Sequence, residues 1–295
     1  MRASPVAYDA FAPGPHPVVT SDGTLVDHDR ADRVLPFRLW QPRDARRAPL
    51  IVYSHSSYGH RGQASLLCGY LASHGYAVAA AEHTGNTRAE WAARAGAPPL
   101  SEDERAALLA RIIGDRVPDL LFLASSVISM HSGAIDARRL GLVGWSFGGW
   151  AVLATLERDA RFASVVAHAP AGGRDPLPGI IPATLTLRWK REVPALFLAA
   201  ERDRFVPLDR VRDVFDRAPE PKRMFVLAEA DHGHFADEIQ PEGPPSAEVA
   251  HVFTHSLTRA HLDATLGGDE TAARFLADDV IGALRQRHIN AFTYP

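Results

Sequence analysis

The sequence predicts an α/β fold: a mostly parallel central sheet with helices on both faces. Three observations carry that expectation. Short apolar runs alternate with segments of helical spacing along most of the chain, the pattern of a sheet buried on both sides. The 295 residues, 46% of them hydrophobic, suffice to bury a full core. Finally, Gly144-Trp145-Ser146-Phe147-Gly148-Gly149 joins a strand-like run to a helix-like one in a single sharp turn.

Taken in order, Arg33 to Trp40 alternates apolar and polar residues and ends at Pro42, as a half-buried strand does. Leu50-Ile51-Val52-Tyr53 reads as a short buried strand, followed by a polar loop through Gly62. Leu66, Leu67, Tyr70 and Leu71 place a helix over 63–73, closed at Gly75. Further strands are expected over 77–81, 139–143, 164–167, 195–199 and 224–227, and helices over 101–113, 118–130, 147–158, 207–217, 247–265 and 271–288. Ser101 with Glu104 forms a capping box that starts the first of these helices. Residues 84–118 and 171–193 fit the alternation poorly. Both follow strands, on the edge where open sheets bind ligands, and read as a candidate lid and a candidate pocket wall within one domain spanning 1–295.

Composition narrows the function. A formal charge of −3 and a pI near 6.5 give no electrostatic case for nucleic acid or a membrane surface. Cys68 is the sole cysteine, so neither an intrachain disulfide nor a thiolate metal cluster is expected. No stretch approaches the roughly eighteen consecutive apolar residues of a spanning helix. Pro5, Pro13, Pro15 and Pro17 interrupt a beginning that carries no apolar signal region, so a cytoplasmic setting is expected.

The turn at 144–149 has the form G-x-S-x-G between strand and helix, which presents a serine as a nucleophile. A serine hydroxyl needs a base, and the base needs an orienting carboxylate. Asp203 follows the strand at 195–199 and is the expected acid, with Glu201 as its local competitor. The strand at 224–227 runs into Asp231-His232-Gly233-His234-Phe235. His232 is the expected base, with His234 as the alternative; a third reading makes the two histidines metal ligands, which needs further ligands elsewhere. A developing oxyanion needs donors, expected from the backbone N–H groups of Phe147 and Ser57, with Ser56 and Tyr58 as neighbouring choices. His55 and His83 are expected to be hydrogen-bonded scaffold. Such chemistry requires no metal or cofactor.

With these residues in place, the chain resembles the α/β-hydrolase superfamily, and within it the platelet-activating-factor acetylhydrolase-like and "predicted dienelactone hydrolase" group. The likeness rests on residues 29–42, Ser54-His55, the run Leu71-Ala72-Ser73-His74-Gly75-Tyr76 through His83, and the Ser146 turn. It implies a serine esterase acting on small-molecule esters with short or accessible acyl groups. Bacterial polyester hydrolases of the cutinase type are also similar, through Trp145, the Leu-Ala-Ser-His-Gly run, Glu201-x-Asp203-x-x-x-Pro207 and the approach to His232. Acyl transfer and lactone or polyester hydrolysis are alternatives on the same residues; a non-catalytic binding protein is the remote one. Two departures matter. The animal acetylhydrolases carry their acid one strand earlier, where this chain has Val166-Ala167-His168-Ala169-Pro170 and no carboxylate, and true dienelactone hydrolases use a cysteine where this chain has Ser146.

Overall fold

The computed structural model describes residues 8–175, 181–238 and 243–295. Its centre is a nine-stranded sheet: β1 (Val18–Asp27), β2 (Arg33–Pro42), β3 (Ala48–Ser54), β4 (Ala77–Ala81), β5 (Ile135–Trp145), β6 (Phe162–His168), β7 (Ala195–Ala200), β8 (Lys222–Leu227) and β9 (Ala291–Tyr294). The spatial order is β1-β2-β4-β3-β5-β6-β7-β8-β9. Strands β4, β3, β5, β6, β7 and β8 pair in parallel, while β1, β2 and β9 add antiparallel edges.

Burial on both faces explains why the inner strands read as continuous apolar runs. Leu50 and Val52 face one core, with Ala77, Ala79, Leu140, Leu142, Val165 and Phe197. Ile51 and Tyr53, one residue out of step, face the other with Val78, Ala80, Val166 and Leu196. Helices α3 (Glu102–Met130), α4 (Phe147–Thr155) and α5 (Leu208–Arg217) cover the first face. The second lies under α1 (Ser65–Ser73), α6 (Ala247–Thr265), a π-helical turn at Phe275–Asp279 and α8 (Val280–Gln286). Two short helices, α2 (Arg88–Ala93) and α7 (Glu270–Arg274), complete the set.

Several expectations need correction. The edge strands β1 and β9 and helix α2 are additions to the sequence reading. β1 pairs with β2 along its whole length, and its Asp22-Gly23 lies mid-strand, where Gly23 sits opposite Phe37. The helices expected over 101–113 and 118–130 are one continuous helix, α3, with Pro118 inside it. A proline there removes one intrahelical hydrogen bond and crowds the preceding turn. Burial of Val117, Leu120, Leu123, Ala124 and Val127 along the same face outweighs that loss. The helix expected over 271–288 is instead divided into α7, the π-helical turn and α8.

The two excursions differ in character. α2 is tied to the loop after β3: Gly59 and Thr87 form a parallel bridge, and Arg88 N–H donates to Gly59 O at 3.0 Å. Residues 181–188 are an extended strip in which Ile181, Ala183, Leu185 and Leu187 are buried and their neighbours exposed. The strip packs on α4, where Trp150 Nε1 donates to Thr184 O and Glu157 accepts from the N–H groups of Thr186 and Leu187. Residues 176–180 of the second excursion lie outside the described residues.

Two buried histidines, His168 and His261, and the half-buried His255 have a consequence for acid stability. Burial pulls His168 and His255 down to about 3 and His261 to about 4. In the unfolded chain each takes up a proton near pH 6.5. Between about pH 6.5 and 4 the unfolded state therefore binds more protons, and stability falls as pH falls. Each histidine contributes up to about 1.4 kcal/mol per pH unit in that window. Asp237, raised by burial to about 6, opposes them as a single group. The melting temperature followed by circular dichroism is expected to drop steadily from pH 7.5 to pH 5; a flat profile would contradict this account.

Candidate active site

The parallel strands all end on one edge of the sheet, and β3, β5, β7 and β8 deliver the expected site residues there. At the end of β5, Ser146 has φ 58° and ψ −118°, a backbone state that costs a non-glycine residue about 1–3 kcal/mol unless its surroundings enforce it. They do so through hydrogen bonds. Ser146 N–H donates to His168 O at 2.9 Å, and Ser146 O accepts from Trp150 and Ala171 N–H at 3.1 Å each.

The flanking glycines answer to steric contact. A Cβ on Gly148 would lie 2.0 Å from Ser54 O and 2.6 Å from His55 O, and one on Gly144 would lie 2.3 Å from Gly148 O. The first turn of α4 thus rests directly on the backbone at the end of β3. As the first residue of that helix, Phe147 has a backbone N–H with no intrahelical acceptor.

Asp203 and His232 meet at the ends of β7 and β8. His232 Nδ1 is 2.6 Å from Asp203 Oδ2, and both residues are buried. The other carboxylate oxygen accepts from the N–H groups of Phe205 and Val206 at 2.8 Å each, so the carboxylate is fixed at both ends. With Nδ1 donating to Asp203, the lone pair of His232 lies on Nε2. The imidazole packs between Trp145, ring centroids 5.1 Å apart, and Phe205, at 5.7 Å; Phe205 itself is 62% exposed beside it.

The competing residues are occupied elsewhere. Glu201 is exposed and accepts from Glu229 N–H. His234 Nδ1 accepts from Asp231 N–H at 2.9 Å, and its Nε2 donates to Pro245 O at 2.9 Å. Both ring nitrogens are consumed by backbone, pinning the loop that carries His232. Among the described residues no three His, Cys, Asp or Glu side chains are grouped to hold a metal ion.

The loop after β3 carries the other expected donor. Ser56 N–H is taken by Gln63 Oε1 at 2.9 Å, which removes it from the choice. His55 Nδ1 donates to Ser56 O at 2.7 Å, and His55 Nε2 accepts from His83 N–H at 3.2 Å. Because the peptide is planar and trans, fixing Ser56 C=O aims the Ser57 N–H the opposite way. The adjoining Tyr58, at φ 55°, stacks on Trp91 of α2, itself 55% exposed.

Behind this loop lies a buried polar cluster that the sequence reading missed. Asp119 of α3 accepts from Arg33 Nε and Nη2 at 2.7 Å each and pairs with Arg30 at 2.8 Å and His83 at 3.0 Å. Burial disfavours its charge, but the hydrogen bonds from Arg33 and His83 outweigh that and hold it well below the usual carboxylate range. Burial draws His83 down to about 4 and pushes His55 well below its ordinary value, so both are neutral at pH 7. The periodicity of α3 offered no cue to Arg116 and Asp119, since charged residues in a helical pattern read as a solvent face.

The Gly148 contact is directly testable. Gly148→Ala is expected to force β3 and α4 apart and to destabilise the protein by about 1–3 kcal/mol or more, as overpacking does. Urea denaturation measures this; wild-type stability in the variant would show that the backbones are not so close.

Comparison with known proteins agrees with this architecture. A platelet-activating factor acetylhydrolase of Cavia porcellus is 22% identical, over 77% of this chain and 60% of its own length, so the chain spans less than two thirds of that relative. The Dienelactone hydrolase family model matches residues 35–261, from within β2 into α6, including the ends of β3, β5, β7 and β8. The chain belongs to the dienelactone hydrolase family, within the α/β-hydrolase superfamily.

Proposed function

We propose that this protein is a serine hydrolase that cleaves carboxylic esters through an acyl-enzyme, with Ser146 as nucleophile, His232 as base and Asp203 as the residue that orients it. The observation that carries the reading is the 2.6 Å contact of His232 Nδ1 with an Asp203 carboxylate already fixed by two backbone N–H groups, the imidazole lying 5.1 Å from the ring of Trp145, the residue before a serine held at positive φ. Membership in a hydrolase family and the similarity to an enzyme called an acetylhydrolase support it.

The reaction follows from these roles. His232 Nε2 takes the proton of the Ser146 hydroxyl as the oxygen attacks the ester carbonyl, and Asp203 stabilises the imidazolium that forms. The N–H groups of Phe147 and Ser57 receive the developing oxyanion. Collapse of the tetrahedral intermediate expels the alcohol, which takes the proton from His232. Water then gives a proton to the same imidazole as it attacks the acyl carbon, and the bond to Ser146 breaks as its oxygen takes that proton back, releasing the acid. Every proton transfer uses His232 and every new bond forms at Ser146 or water, so the steps call for no cofactor. The substrate we favour is a small ester with a short or accessible acyl group. The family name favours a second reading, opening of a lactone by the same attack; product analysis with ester and lactone substrates side by side separates the two. Acyl transfer and polyester hydrolysis are alternative uses of the same steps, distinguished by supplying an alcohol acceptor or a polymer.

Three substitutions test the assignment on p-nitrophenyl esters of increasing chain length. Ser146→Ala is expected to lower turnover by about 10⁴ or more and to abolish covalent labelling by a fluorophosphonate; persistent labelling would refute the nucleophile. Asp203→Asn is expected to cost roughly 10⁴ near neutral pH, because the amide favours the wrong imidazole tautomer. His232→Ala is expected to cost about 10³ or more, whereas His234→Ala costs less than about tenfold in turnover. The reverse ranking of the two histidines would reassign the base.

A further inference from the structure

Arg116, on α3, is 1% exposed and forms no ion pair within 4 Å among the described residues. The oxygens of its neighbour Asp119 are taken by Arg30, Arg33 and His83. A buried cation with no ion pair of its own is expensive, and the Asp119 carboxylate nearby offsets part of that cost. Burial draws this guanidinium down to about 9, which leaves it charged at neutral pH.

Three of its contacts fall on the segments that carry the proposed oxyanion donors. Nη1 donates to His55 O at 2.7 Å and reaches Ser54 Oγ at 3.4 Å. Nη2 donates to Asn86 Oδ1, at the approach to α2. The guanidinium lies over the ring of Phe147, with Cζ 4.5 Å from the centroid. One side chain therefore grips the loop that carries Ser57 and the residue that carries the other donor. The His55 carbonyl that Arg116 holds is also, with Ser54 O, among the atoms nearest a Cβ at Gly148, so Arg116 lies where the two backbone segments converge.

We infer that Arg116 is a positioning residue for the oxyanion hole: it holds the Phe147 and Ser57 N–H groups in one geometry and places a fixed positive charge behind them. The inference rests on the ester-hydrolase reading. It is specific about when the residue matters, because donors and charge aimed at an oxyanion act on the tetrahedral state and little on the bound ester.

The experiment compares wild type, Arg116→Met and Arg116→Lys, after circular dichroism has confirmed that each is folded. Arg116→Met is expected to lower kcat by about 30-fold or more while KM stays within about threefold. Arg116→Lys, which keeps a charge and a donor but not the planar fork, falls between. Phenylboronic acid, which forms a tetrahedral adduct with an active serine, should lose affinity in the order Arg116→Lys then Arg116→Met, in step with kcat. A purely structural role predicts a lower melting temperature with no such split. A folded Arg116→Met with kcat within threefold of wild type overturns the inference, as does a loss confined to KM. Should Arg116→Met fail to fold, Arg116→Lys decides by the same criteria. Wild-type protein lacking both esterase turnover and fluorophosphonate labelling would instead bring down the ester-hydrolase reading and this inference with it.

Discussion

The approach of two backbones, where the first turn of α4 meets the end of β3, is the contact on which the site depends. Gly148 lies so close to Ser54 O and His55 O that no side chain fits between them. This closeness sets the distance between the helix start and the loop after β3, so the proposed meeting of the Phe147 and Ser57 N–H groups on one atom requires that it be kept. It also explains the positive φ of Ser146, since a relaxed turn would lift α4 off the sheet. Hydrogen bonds to His168 O and from Ala171 N–H supply the restraint from the other side. The strain at one residue is thereby spread over β3, β5 and β6, three central strands of the sheet.

A second layer lies beneath the loop. Asp119, itself fully buried, gathers buried His83 and the partly exposed Arg30 and Arg33. Ion pairs so buried rarely add net stability over well-packed apolar residues. What they do supply is direction: His83 N–H holds His55, and His55 in turn holds Ser56 C=O. The His55 imidazole must be neutral for this relay, because its Nε2 has to accept from the His83 backbone N–H while Nδ1 donates. Burial, which keeps it unprotonated, is thus part of the geometry and the source of its sensitivity to acid.

The parts of this architecture legible in the sequence are those with a strong local signal. Ala77 to Ala81 and the helix over 247–265 appear with the expected bounds, since apolar runs and helical spacing extend cleanly to their ends. The turn at Ser146 was legible because its glycines answer to a steric need that no other residue meets. β1 was not, because an exposed edge strand containing Asp22-Gly23 looks like a turn until Phe37 is seen across from it. The continuity of α3 through Pro118 was hidden for the opposite reason: a local rule against proline was overridden by distant packing. Arg116 lay beyond reach altogether, as a buried arginine differs from an exposed one only in its neighbours.

The choice between His232 and His234 illustrates the same limit at the scale of two residues. Both lie in one 3-10 turn, His232–Phe235, and both are buried. Loop length alone favours His232 but cannot exclude His234, since a turn of about three residues sends positions two apart in different directions. What separates them is where their hydrogen bonds go. His234 gives its nitrogens to Asp231 N–H and Pro245 O, leaving no free lone pair, while His232 spends one nitrogen on Asp203 and keeps the other. A general base needs an uncommitted nitrogen, so the residue that fastens the loop is a poor candidate for one. The two roles are complementary: the backbone bonds of His234 are what hold His232 in the position where Asp203 can orient it.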